Sequence, residues 1–122
     1  MYKVNIVSKN FLDIEVEEEF SFNLNRSELL ELEARTNGGL RKLINDLSDH
    51  HESKDLVAFM STFIKASYGV LSPDGRRFDK NDDVWEDFYR TNAYDKLFME
   101  LITDDEKALR FISNVLPAEE SQ

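Results

Sequence analysis

Between Ile14 and Leu24 the chain alternates: Ile14, Val16, Phe20, Phe22 and Leu24 are apolar, while Glu15, Glu17, Glu19, Ser21 and Asn23 are polar. A two-residue period sends successive side chains to opposite faces of an extended strand, and no helix keeps such a set on one side. Only Glu18 interrupts the apolar face. Tyr2, Val4 and Ile6 repeat the pattern, so Asn10 to Asp13 is expected to close a β-hairpin, although that loop contains no glycine. A lone hairpin is marginal in water. Its apolar face must therefore pack on helices or on another subunit.

The rest of the chain reads as helices. Asn25 is an expected N-cap with Glu28 three residues on, and Leu24 and Leu29 stand at the two positions of a hydrophobic staple. This first helix should run to about Arg35 and stop at Thr36-Asn37-Gly38-Gly39, whose residues tolerate positive φ. Leu40, Leu43, Ile44 and Leu47 predict a short second helix, and the polar run from Ser48 to Ser53 predicts a loop. From about Lys54 to Tyr68 a wide apolar face of Leu56, Val57, Phe59, Met60, Phe63, Ile64 and Ser67 marks the most buried helix, with Gly69 as its C-cap. Ser72-Pro73-Asp74-Gly75 has proline second and glycine fourth, as a type I turn prefers.

Val84, Trp85, Phe88 and Tyr89 then mark another helix, and Tyr94, Leu97, Phe98 and Leu101 the inward stripe of the next. Thr103-Asp104-Asp105-Glu106 predicts a capping box for a last helix that presents Ala108, Leu109, Ile112, Val115 and Leu116 and ends at Pro117. The expected fold class is α+β and predominantly α-helical. A β-hairpin over residues 1–24 precedes a compact bundle of about six helices over 25–117, with a flexible tail at 118–122. Without an internal repeat or a linker, residues 1–122 are expected to form a single domain.

Composition narrows the chemistry. At 122 residues the chain is long enough to bury a core, and with no cysteine it has no disulfide, thiolate-metal site or thiol nucleophile. No apolar run approaches the length of a membrane span, and the first residues alternate instead of forming a signal-peptide core, so no membrane partner is expected. The net charge of −10 disfavours nucleic acid, since like-charged phosphates are repelled. The acidity is uneven: residues 1–25 carry 2 basic and 5 acidic groups, 26–78 carry 8 of each, and 79–122 carry 5 and 12. Solvated helix faces account for that excess, with an acidic docking surface for a basic partner as the alternative.

No cofactor, metal or catalytic site is expected. Asp79-Lys80-Asn81-Asp82-Asp83 opens like a calcium loop, but the sixth position is Val84 instead of glycine and the twelfth is Arg90 instead of glutamate. Asp79 or Asn81 is better read as a helix cap. His50 and His51 are adjacent and lack further ligands at recognisable spacing. No nucleophile elbow or phosphate loop is present. Arg76 and Arg77 are planar anion donors for a partner or, equally, ties between the turn and the following acidic helices. Trp85, Phe88 and Tyr89 suit an interface anchor, but their helical spacing favours the core.

A further set of residues goes together. Phe22-Asn23-Leu24, Gly38-Gly39-Leu40, Tyr68-Gly69, Ser72-Pro73-Asp74-Gly75-Arg76-Arg77-Phe78, Glu86-Asp87-Phe88, Thr91-Asn92-Ala93-Tyr94, Leu97-Phe98-Met99-Glu100-Leu101, Phe111 and Pro117 occur in one order and spacing. From about Phe20 onward this chain resembles the tail assembly chaperones of long-tailed, non-contractile bacteriophages, most densely from Tyr68 to Leu101. The resemblance implies a non-enzymatic factor of the host bacterial cytoplasm, absent from the mature virion. Its implied partners are the tape measure protein, a long coiled-coil-rich chain that it keeps soluble, and the tail tube (major tail) protein that it helps recruit; a homo-oligomer is also in view. Tyr68, Gly69, Asp74, Gly75, Arg76, Arg77, Phe78, Trp85, Phe88, Tyr94 and Phe98 are the candidate partner-binding or family-motif residues.

Two binding modes suit such a factor: helix-in-groove docking between amphipathic helices, and strand addition along the hairpin edge from Tyr2 to Val7. The rival reading is a small acidic phage inhibitor that mimics DNA and occupies a host nuclease or restriction enzyme. Lys80, Arg90, Lys96 and Arg110 break up the carboxylates that such mimicry needs.

Overall fold

The structure, a computed structural model, describes residues 1–35 and 54–117. The alternating segments form the expected hairpin. β1 (Tyr2–Lys9) and β2 (Glu15–Phe22) pair antiparallel, with Tyr2 opposite Phe22, Ile6 opposite Glu18 and Lys9 opposite Glu15. The loop closes without glycine because Asp13 takes a φ of 63° and the Asn10 side chain accepts the N–H groups of Leu12 (2.9 Å) and Ile14 (3.1 Å). Phe20, Phe22 and Ile6 are buried, whereas Ile14 at the far end lies in solvent with Glu18. The apolar face is thus used only where helices reach it.

α1 (Arg26–Arg35) starts as the sequence predicts. Glu28 N–H donates to Asn25 Oδ1 and Asn25 N–H to Glu28 Oε1, each at 3.0 Å, which completes the capping box. Leu24 is buried, and Leu29 packs against the core. The predicted stop at 36–39, the second helix over 40–47, the loop over 48–53 and the tail lie outside the described residues.

α2 (Lys54–Ser67) buries Leu56, Phe59, Met60, Phe63, Ile64 and Ser67, leaves Val57 exposed at the edge of the expected apolar face, and runs straight into β3 (Tyr68–Leu71). Gly69 is therefore a strand residue, not the helix cap expected of it. The last helical residue, Ser67, turns its hydroxyl back to Phe63 O at 2.8 Å, and Asn23 N–H takes Ser67 O at 2.8 Å, which leads the chain into the sheet. β3 pairs with β2 through Phe22–Tyr68 and Ser21–Gly69, and with β4 (Phe78–Asp79) through Leu71–Phe78 and Val70–Asp79. The hairpin thereby becomes a four-stranded antiparallel sheet in the order β1-β2-β3-β4.

Three helices follow: α3 (Asp82–Tyr89), α4 (Asn92–Thr103) and α5 (Asp105–Val115). Five helices are present among the described residues; the sixth expected one is the segment at 40–47 outside them. Asn81 caps α3 through Val84 N–H and Thr91 caps α4 through Tyr94 N–H. The cap of α5 is Asp104, which accepts from Glu106 and Lys107, and not Thr103, whose hydroxyl donates to Met99 O at 2.6 Å. A carboxylate at the cap also faces the positive end of the helix, which a hydroxyl does less well. α4 packs against β1, α2, α3 and α5, so the core lies between the sheet's inner face and these helices.

Candidate functional site

The predicted site residues fall into two groups. Tyr68, Trp85, Phe88 and Tyr94 are buried and share one aromatic cluster. Phe88 is its centre: Tyr68 stacks on it at 4.4 Å and 23°, Phe20 lies 4.6 Å away, and Tyr94 meets it edge-on at 5.5 Å and 88°. Trp85 reaches Tyr94 edge-on at 5.5 Å, and half-buried Phe98 stacks on Tyr94 at 5.9 Å. Tilted and edge-on contacts suit the ring quadrupoles and hold α3 and α4 to the sheet. Burial raises the Tyr68 hydroxyl above its ordinary pKa, with Asp87 and Glu18 adding to the effect, and burial likewise raises Tyr94.

The second group is the β3–β4 turn. Gly75 N–H closes it on Ser72 O at 2.9 Å, and Gly75 itself takes a φ of 77°. The buried Ser72 hydroxyl donates to Asp74 Oδ1 at 2.6 Å and accepts Arg77 N–H at 3.0 Å, while Arg76 N–H also donates to Asp74 Oδ1. The Ser72 hydroxyl first, then the Arg76 amide, hold the Asp74 carboxyl below its ordinary pKa. What the carboxylate contributes is therefore kept at neutral pH and lost only as pH falls below the usual aspartate value.

Gly69 is needed for space. A Cβ there would lie 2.6 Å from Phe78 Cε2 and 2.9 Å from Asp79 O, so the ring of Phe78 occupies the place of a side chain. Arg76 and Arg77 are exposed, with Asp74 4.0 Å from Arg76 Nε and Asp79 3.3 Å from Arg77 Nε. Their partners lie in the turn and β4, not in the following helices. Such exposed pairs exchange readily for other anions.

Two features escaped the sequence reading. Lys80 Nζ donates to Asn23 O (2.6 Å), Glu28 Oε2 (2.7 Å) and Ala66 O (2.8 Å), and sits 5.6 Å above the centre of the Phe78 ring. Nothing in a single charged residue signals three partners so distant in sequence. The other is Phe11-Leu12 at the hairpin tip, where two apolar residues in a short loop were a readable sign of a surface feature.

Among the described residues, no cluster of His, Cys, Asp or Glu is placed to hold a metal ion, no helix is long and apolar enough to cross a membrane, and no buried side-chain nitrogen or oxygen lacks a partner. The motif residues thus serve architecture in the cluster and present charge at the turn. The model of a family described as phage tail assembly chaperone matches the sequence over residues 1–122. The chain belongs to this tail assembly chaperone family. No curated protein and no solved structure gives a match.

Proposed function

We propose that the chain is a non-catalytic chaperone that binds the tape measure protein, keeps it soluble and helps bring tail tube subunits to it. The proposed place of action is the host bacterial cytoplasm, and the finished virion lacks the protein. The observation that carries this reading is the family match along residues 1–122. Physical support comes from the surface, where an acidic body of net charge −10 carries exposed apolar side chains, among them Phe11, Leu12, Val70, Leu71 and Met99. Charge keeps the chaperone dispersed, and separate apolar contacts hold a hydrophobic client weakly enough to release it.

Strand addition at β1 is narrowed by the fold. The outward carbonyls of Val7 and Lys9 already accept from Lys96 Nζ and Asn92 Nδ2, which leaves the Lys3–Asn5 stretch of that edge. The reading is tested by co-expressing tape measure segments with the chain. The client should move to the soluble fraction and co-purify, and tail tube protein should join only when the client is present. A client that stays insoluble and uncaptured would refute the reading.

A further inference from the structure

Phe11 and Leu12 are 75% and 78% exposed, and Ile14 beside them is 55% exposed. Single exposed apolar residues are ordinary, but three adjoining ones at the end of a projecting hairpin form a patch with nothing to cover it within the described residues. The tip is not a loose loop. Beyond the two N–H groups taken by the Asn10 side chain, Asn10 N–H donates to Ile14 O at 2.9 Å and Asp13 N–H to Asn10 O at 3.0 Å. Behind the tip, α4 grips the strand at Lys9 O and Val7 O through Asn92 and Lys96. An arm ordered in advance loses little entropy on binding. The same two bonds close the distal β1 edge to a partner strand, so docking there falls to the side chains.

The flanks define the partner's chemistry. Asp13, Glu15, Glu17, Glu18 and Glu19 are all exposed on the arm, against the basic Lys3 and Lys9. Carboxylates around an apolar tip favour an apolar surface bordered by lysine or arginine and repel one bordered by acids. We propose that the β1–β2 tip docks into the apolar stripe of a partner helix whose flanks carry lysine or arginine. This rests on the chaperone reading and specifies which part of the protein meets the client and which client segments it selects.

The test is an NMR titration of the full ¹⁵N-labelled chain with two synthetic amphipathic helical peptides. Both carry the same leucine stripe, flanked by lysine in one and by glutamate in the other. The lysine-flanked peptide should shift amides around Phe11 and Leu12, more weakly as salt is raised, and the glutamate-flanked peptide should leave them unmoved. Phe11→Ser with Leu12→Ser should weaken binding at least about tenfold at unchanged Tm, because neither side chain supports the core. Glu15→Lys with Glu17→Lys, which leaves the apolar tip intact, should reverse the peptide preference.

Equal binding of both peptides, shifts centred elsewhere, or new protection of the Glu17 and Glu19 amides would each overturn the proposal, the last by indicating strand addition to β2. Tape measure segments then separate the two readings. If the Phe11→Ser/Leu12→Ser variant holds them as well as wild type, the tip is excluded and the chaperone reading stands. If wild type fails to hold them while the lysine-flanked peptide binds the tip, the docking chemistry is supported and the tape measure reading falls.

Discussion

A lysine ammonium has three donors, and Lys80 uses them on Asn23 O, Glu28 Oε2 and Ala66 O, so one side chain joins the β2–α1 link, the α1 capping box and the end of α2. Lys80→Met keeps the apolar stem but strips two carbonyls and a carboxylate of their partner. Each hydrogen bond to a charged group is worth about 1.5–3 kcal/mol, so a loss of about 3 kcal/mol overall and a fall in Tm on the order of 10 °C are expected. Lys80→Arg should recover only part, since a planar fork does not aim three donors as an ammonium does. Urea denaturation measures both, and an unchanged midpoint for Lys80→Met would remove this residue from the account. Gly69→Ala should cost about 1–3 kcal/mol through its clash with Phe78. Trimming the ring with Phe78→Leu should then restore stability to Gly69→Ala relative to the sum of the two single losses. Additive losses would mean that the crowding lies with the Asp79 backbone.

The hairpin arm stands away from the core at its tip, and its outer edge is held by Asn92 Nδ2 on Lys9 O at 2.8 Å and by Lys96 on Val7 O. Asn92→Ala with Lys96→Met should lower global stability by only about 1–2 kcal/mol, as neutral and exposed hydrogen bonds contribute little each. Amide exchange in residues 7–14 should nonetheless quicken more than in α2, because the loss is local. Uniform acceleration along the chain would show the arm to be part of the global unfolding unit instead. The same arm shows what a sequence can reveal. β1 and β2 were legible because eight residues each give alternation room to repeat, and the Asn25–Glu28 box was legible because its signal is wholly local. β3 and β4, four and two residues long, are too short to show a period; β3 is a strand only because Ser21 and Phe22 present an edge to it, and β4 only because Val70 and Leu71 present one in turn. The cap of α5 was misplaced by one residue because Thr103 and Asp104 are both good caps, and the choice falls to whichever residue leaves helical geometry first. In the candidate site, helical spacing placed Trp85 and Phe88 correctly in the core but not Tyr89, which ends α3 and is 50% exposed, while the inward stacking of Tyr68 depends on β3 and so on pairing that no local pattern encodes.

Across the molecule, the aromatic cluster and the acidic surface meet at Tyr68 and Tyr94. Both hydroxyls are raised above 10.0, chiefly by burial, and Asp87 and Glu18 add repulsion at Tyr68. Below pH 10 both folded and unfolded chains keep these protons, and the cluster's contribution is intact. As pH rises past 10 the unfolded chain releases them first, so stability falls, and it continues to fall until the folded value is reached. Each tyrosine can contribute a slope of up to about 1.4 kcal/mol per pH unit in that window. Every proton lost also deepens a net charge that is already −10 at pH 7, and self-repulsion opposes the compact state. Salt should therefore raise Tm at alkaline pH, since screening relieves the summed repulsion more than it weakens exposed pairs worth under about 1 kcal/mol each, such as Arg90–Glu86. Tyr68→Phe keeps the stacked ring but has no proton to lose, so it should flatten the decline above pH 10 while leaving neutral-pH stability nearly unchanged. Thermal melts of both proteins from pH 7 to about 11, at low and moderate salt, measure the two effects together. A Tyr68→Phe curve parallel to wild type would exclude Tyr68 as a source of the alkaline loss and leave it to Tyr94 and the summed surface charge.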